Sequence, residues 1–145
     1  MAGIGDIIVE APRNKDIEFT LIGGSNGYGE SVLIRFSIGK WLVVDSCVDQ
    51  QRQCMPLQYL RKIGVDIATD VVCVCCTHWH DDHIKGMCQL LEECSNITKF
   101  CMAIPDDREN FLYAFGQIDE MHREQSPSKG IMEILELIAK KNIPV

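Results

Sequence analysis

THWHDDH, residues 77–83, holds three of the four histidines of this 145-residue chain within six positions. Chance clustering of so scarce a residue is improbable. The preceding run, VVCVCC, is short, apolar and partly β-branched, which predicts a strand buried on both faces. After Asp82, apolar residues recur at helical spacing. The motif therefore lies where a buried strand ends and a helix begins, and open α/β sheets position their ligand-binding groups at such points.

The spacing of the motif predicts a site for metal ions. His78 and His80 are two apart on extended backbone, so both imidazoles can point to one side. Asp82 and His83 are adjacent where the helix begins, and they offer a carboxylate and a nitrogen for a second ion nearby. Imidazole and carboxylate ligands suit divalent first-row metals. We expect two zinc ions as the cofactor, with manganese and iron as alternatives, and open positions for a water whose pKa the metal lowers.

Other interpretations of the histidines and cysteines are weaker. The helical zinc-protease motif H-E-x-x-H is absent, because His78 and His83 are five apart with no glutamate between them. Eight of the 145 residues are cysteine. This share of about 5.5% is below the ~8–10% that is typical of a disulfide scaffold. Cys73 and Cys76 form C-x-x-C, but positions three apart on a strand face opposite ways. We expect reduced, buried thiols.

Composition restricts the class of protein. Fourteen basic and 21 acidic residues give a net charge of −7, which argues against a basic nucleic-acid-binding surface. It does not exclude cleavage of phosphate esters, because metal ions can supply positive charge locally. No apolar run approaches the roughly 20 residues of a membrane span, and the N-terminus does not resemble a signal peptide. We expect one cytoplasmic domain, residues 1–145, with no membrane partner.

Strands alternate with helices in the predicted α/β fold. Gly64 is the expected end of the first helix, and Asp82 is the expected N-cap of the second. The predicted strands are Ile17–Ile22, Ser31–Ser37, Lys40–Asp45, Asp70–Cys76 and Lys99–Ile104, and the predicted helices are Pro56–Ile63, Asp82–Glu93, Asp106–Phe115 and Ser128–Lys141.

The residues HWHDDH, 78–83, match the H-x-H-x-D-H signature at every fixed position, and the sequence thereby resembles the metallo-β-lactamase superfamily. WLVVDS, residues 41–46, is similar to that family's preceding motif, and GGSNGYGESVLIRF, residues 23–36, is similar to its N-terminal hairpins. The resemblance spans Ile17 to Ile104. Within the family, the sequence also resembles a bacterial group of uncharacterised metallohydrolases. It implies an αβ/βα sandwich of two similar halves with the metals at the edge between them.

The resemblance also implies roles for single residues. His78 and His80 would bind the first metal, and Asp82 and His83 the second. Asp82 is also the implied catalytic residue, because it would hold or deprotonate the nucleophilic water. Asp45 would bind no metal but would hydrogen-bond near the motif and fix its backbone; the alternative is a residue that simply ends its strand in a turn.

The chain also departs from the family pattern. The family takes a further histidine, a bridging acid and a final histidine from its second half. After His83 the only histidine is His122, which lies in a charged stretch and is expected to be a solvated surface residue. We therefore expect the N-terminal half of the sandwich, inactive alone and completed by a C-terminal half or a complementing chain. Self-association is also expected.

Three functions remain open at this point. The first is a metal-dependent hydrolase that uses metal-activated water, with a phosphodiester or nuclease-like substrate favoured over lactams, thioesters and lactones, because two ions suit phosphoryl transfer. The second is a non-catalytic or incomplete scaffold subunit. The third is an iron-dependent redox protein of the same fold.

Overall fold

A computed structural model describes residue 13 and residues 15–23, 29–102 and 127–145. Within these residues the chain forms one five-stranded sheet, in which the strands follow sequence order from edge to edge. The second strand is antiparallel to the first and to the third, whereas the third, fourth and fifth strands run parallel to one another. The strands are β1 (Glu18–Gly23), β2 (Glu30–Arg35), β3 (Trp41–Val44), β4 (Val71–Cys76) and β5 (Lys99–Met102).

Helices connect the parallel strands and cover one face of the sheet, so the predicted α/β class is confirmed. They are α1 (Met55–Lys62), α2 (Ile67–Asp70), α3 (Asp81–Ile84), α4 (Met87–Glu93) and α5 (Pro127–Lys140). Gly64 follows α1 with a φ of +76°, as expected for a residue that ends a helix. The single turn α2 was not predicted. The helix predicted over Asp106–Phe115 lies outside the described residues.

The core lies between the sheet and the helices. Alternate residues of β2 and β3 point toward the helices, which is why Leu33 and Val43 are fully buried. The helix α5 is fixed on α4 by Lys141, whose ammonium group donates to the carbonyl oxygens of Leu91 (2.5 Å), Glu92 (2.9 Å) and Cys94 (3.2 Å). A cation at these terminal carbonyls satisfies acceptors that have no partner within the helix.

The single helix predicted over Asp82–Glu93 is wrong, because Gly86 divides it into α3 and α4. Gly86 has a φ of +86°. A Cβ at this position would lie 2.9 Å from Oγ of Ser46 and 3.2 Å from Cβ of Cys54. Gly86 therefore lets the chain turn sharply against the loop that follows β3. The predicted N-cap is also wrong: α3 begins at Asp81 and its N-cap is His80.

The sheet face opposite the helices carries apolar side chains. Phe19 and Leu21 on β1 are each 71% exposed. They pair with Ile34 and Val32 of β2, which therefore lie on the same face and are half-buried. Patches of this kind favour association.

No helix in the described ranges is long and apolar enough to cross a membrane.

We expect the chain, made alone, to self-associate through this apolar face. Replacing Phe19 and Leu21 together by Thr should reduce the association, because threonine suits a strand but offers little apolar area. Sedimentation velocity at micromolar concentration measures the effect. Ile38→Thr is the control, since Ile38 is 78% exposed but lies in the turn between β2 and β3. A clean monomer of the unaltered chain would contradict this expectation.

Candidate metal centre

The ends of two parallel strands bring Asp45 and the histidine motif together. Asp45 follows β3 and Thr77 follows β4, so both lie at the same edge of the sheet. The backbone N–H of Asp45 donates to the carbonyl of Cys75 at 2.7 Å, and that of Ser46 donates to the carbonyl of His83 at 2.8 Å. These two bonds attach the end of β4 and the last residue of the motif to the end of β3.

The Asp45 carboxylate lies beneath the motif and is 6% exposed. Its Oδ1 accepts the backbone N–H of Thr77 at 2.7 Å, and its Oδ2 accepts the Thr77 hydroxyl at 2.6 Å. Oδ2 also lies 2.9 Å from Nδ1 of His83. Asp45 has a φ of +57°, a region in which aspartate is more frequent than most residues. Asp45 thus contacts both ends of the motif, which is the arrangement that its expected positioning role requires.

The four candidate ligands of the motif fall into two groups that share His78. His78, His80 and Asp82 each offer a ligand atom within 4.8 Å of the others, and Asp45, His78 and His83 form a second such group. The ring centroids of His78 and His83 are 3.7 Å apart, and those of His78 and His80 are 4.9 Å apart. Asp82 Oδ2 lies 3.4 Å from Nε2 of His83. The Asp82 carboxylate therefore lies near its expected partner His83 and also near the other expected pair of metal ligands, His78 and His80.

This donor set fits a divalent metal ion. Two imidazoles and a carboxylate are ligands that zinc, manganese and iron accept. His80 is exposed, and His78, Asp82 and His83 are only partly buried, so water can reach the site. No cysteine belongs to either group of donors in the described ranges.

All eight cysteines are free, as expected. The expectation that they are buried holds for only four of them, because Cys73, Cys75, Cys88 and Cys101 are partly exposed. Burial raises the pKa of Cys76, the residue before the motif, to about 12. Burial also raises the pKa of Cys73 to about 11, with a smaller contribution from Cys101. Both thiols are therefore protonated at neutral pH in the metal-free chain, and the thiolate is the form that binds metals.

Trp79, between His78 and His80 in the motif, is half-buried and packs against the hydrophobic core. His122 lies outside the described residues.

Residues 24–123 match a family model described as the metallo-beta-lactamase superfamily. The chain belongs to this superfamily. Two solved structures are similar to it: MEM-A1, a subclass B3 metallo-beta-lactamase from a soil metagenome library (22% identity, TM-score 0.43), and the Rm3 metallo-beta-lactamase (23% identity, TM-score 0.41). The alignments cover 65% and 59% of this chain but only 31% and 29% of those proteins. No curated protein matches the chain.

The sequence analysis missed Gly29, which lies against the metal motif. Gly29 has a φ of +88°, and a Cβ there would lie 2.8 Å from both the Asp82 carbonyl oxygen and Cβ of Cys47. The glycine-rich stretch signalled a turn, but a turn alone does not indicate which backbone it contacts. The glycine is needed because only it allows this approach.

We expect Gly29→Ala to lower the free energy of unfolding by more than about 1 kcal/mol and to weaken metal binding, because the new Cβ displaces the Asp82 backbone. Urea unfolding and zinc titration measure the two effects. Gly64→Ala is the matched control: its φ is also positive, at +76°, but no atom lies within 4 Å of a Cβ there. If both variants lose equal stability and bind zinc equally, the contact with Asp82 is unimportant.

We expect Asp45→Asn to lower the free energy of unfolding by about 1.5–3 kcal/mol, because it removes charge-assisted hydrogen bonds beneath the motif. Asparagine tolerates the same backbone conformation, so the loss reports the carboxylate. Asp70→Asn is the control, since Asp70 is partly exposed and pairs with Lys40 at 2.8 Å; its cost should stay below about 1 kcal/mol. Equal midpoints in urea for the two variants would contradict the prediction.

Proposed function

We propose that the chain supplies metal-binding residues of a metal-dependent hydrolase. The observation that carries this proposal is the convergence of the His78, His80 and Asp82 ligand atoms within 4.8 Å of one another. Membership of the metallo-beta-lactamase superfamily supports it. The Asp45 carboxylate supports it too, because it is buried where it can orient the motif.

His78, His80 and Asp82 would hold one ion, and His83 with Asp82 would hold a second. A divalent ion bound there would lower the pKa of water toward about 7 and so supply a nucleophile at neutral pH. The Asp82 carboxylate, being partly exposed, can accept a proton from water. His83 is 12% exposed and hydrogen-bonded to Asp45. Its imidazole would therefore be a metal ligand with a fixed position.

The favoured substrate is a phosphodiester, including a nuclease-like substrate, because paired ions suit the attacking and leaving oxygens of phosphoryl transfer. The chain's net charge of −7 would repel such an anion unless metal ions neutralised it locally. Small lactams, thioesters and lactones are the alternatives. The chain spans about a third of the length of the solved structures it matches. We propose that further ligands come from a complementing polypeptide, and that turnover requires them.

We expect His80→Ala to remove most of the zinc binding of the chain, because it deletes one of three clustered donors. Isothermal titration calorimetry with Zn²⁺ and Mn²⁺ measures the loss. His122→Ala is the natural control, as the only histidine outside the motif, and should change little. If His122→Ala is as damaging as His80→Ala, the assignment of ligands is wrong.

We expect negligible hydrolysis by the chain alone, and metal-dependent cleavage of bis(p-nitrophenyl) phosphate once a polypeptide supplies the later ligands. His80→Ala should then abolish the turnover. Parallel assays with a β-lactam and a thioester test the alternative substrates. Metal binding without hydrolysis of any ester would favour a scaffold subunit, and bound iron with oxygen consumption would favour a redox protein.

A further inference from the structure

Thr77 contacts two residues of the candidate metal centre with one hydroxyl group. Its Oγ1 lies 2.6 Å from Oδ2 of Asp45 and 3.0 Å from Nδ1 of His78. Its backbone N–H also donates to Oδ1 of Asp45 at 2.7 Å. Thr77 is therefore held by the buried carboxylate through two separate bonds, and its hydroxyl oxygen has a fixed position beside the His78 ring.

The direction of these hydrogen bonds follows from the number of protons. A threonine hydroxyl has one proton to donate, and an ionised carboxylate can only accept. The Thr77 proton is therefore donated to Asp45, and the hydroxyl oxygen is left with lone pairs toward His78. The bond to His78 then requires a proton on Nδ1 of the imidazole. In a neutral ring this leaves the lone pair on Nε2.

We propose that Thr77 is a positioning residue that fixes His78 in the Nδ1-protonated tautomer and so leaves Nε2 of His78 to bind the metal. The inference rests on the proposed metal site, though not on any particular reaction. Asp45 acts on two histidines in this scheme: it accepts Nδ1–H of His83 directly at 2.9 Å, and it acts on His78 through the Thr77 hydroxyl. Metal-binding histidines commonly donate the N–H of their second ring nitrogen to such a partner, which fixes the ring orientation.

The hydroxyl of Thr77 has no evident structural purpose apart from this network. Thr77 is exposed and follows the last residue of β4. Its backbone bond to Asp45 does not need the side chain, so valine at this position keeps the β-branched shape and that bond. Only the contacts of Oγ1 with Asp45 and His78 are lost, while the Asp45 carboxylate keeps its hydrogen bonds to the Thr77 N–H and to His83.

The test uses Thr77→Val and Thr77→Ser, with Thr98→Val as the matched control. The Thr98 hydroxyl likewise donates a hydrogen bond, to the carbonyl of Val72 at 2.9 Å, but Thr98 lies between α4 and β5 and not in the motif. Long-range ¹H–¹⁵N spectra of the chain without added metal report which ring nitrogen carries the proton. They are recorded near pH 8.5, well above the ordinary histidine pKa of about 6.5. The His78 signals are assigned by their loss in His78→Gln.

We expect His78 to be the Nδ1–H tautomer in the unaltered chain, in Thr77→Ser and in Thr98→Val, and a mixture of tautomers in Thr77→Val. The His83 tautomer should be the same in all four proteins, because Asp45 contacts it directly. Zinc titration should show about 10–100-fold weaker binding for Thr77→Val, with affinity restored in Thr77→Ser.

An Nε2–H tautomer of His78 in the unaltered chain would overturn the proposal, as would a Thr77→Val protein that matches Thr98→Val in both tautomer and zinc affinity. These results are independent of catalysis. A fixed tautomer and Thr77-dependent zinc binding, together with no hydrolysis of any ester after a polypeptide has supplied the later ligands, would contradict the proposed hydrolase and leave the role of Thr77 intact.

Discussion

The buried carboxylate of Asp45 joins the end of β3 to the histidine motif that follows β4. A buried charge is costly unless hydrogen bonds satisfy it, and Asp45 has partners on both oxygens: the backbone and hydroxyl of Thr77, and Nδ1 of His83. In the described ranges, every buried polar atom of a side chain has a hydrogen-bond partner. The cost of burying this carboxylate is thus offset by bonds that also determine where the candidate ligands lie.

Sequence patterns predicted the strands and the edge at which the motif lies, because apolar periodicity and strand ends are local properties. Other features depend on contacts between distant segments. Gly86 divides the predicted helix because its neighbours are Ser46 and Cys54, far away in sequence. The helix also begins one residue earlier than predicted, with His80 as its N-cap and no side-chain hydrogen bond at that cap. The link from Thr77 to His78 likewise depends on Asp45, a residue 32 positions earlier.

The uncovered face of the sheet and the edge that carries the metal motif are separate features of the fold. The helices bury one face, where Leu33, Val43 and Phe100 are fully enclosed. The opposite face exposes Phe19 and Leu21. The motif lies at the strand ends, so its geometry depends on β3 and β4 and not on what covers the open face. Ligand convergence and association of the chain can therefore be tested independently.

The central claim is that imidazole and carboxylate groups of the motif bind the metal, although the chain also contains eight thiols. X-ray absorption spectroscopy of the zinc-loaded chain tests it most directly, because sulfur and nitrogen ligands differ in distance. The account predicts nitrogen and oxygen ligands at about 2.0–2.1 Å from the zinc, with the multiple scattering that imidazole rings produce. Sulfur scattering near about 2.3 Å would contradict it, since the metal would then be bound by cysteines and not by the histidine motif.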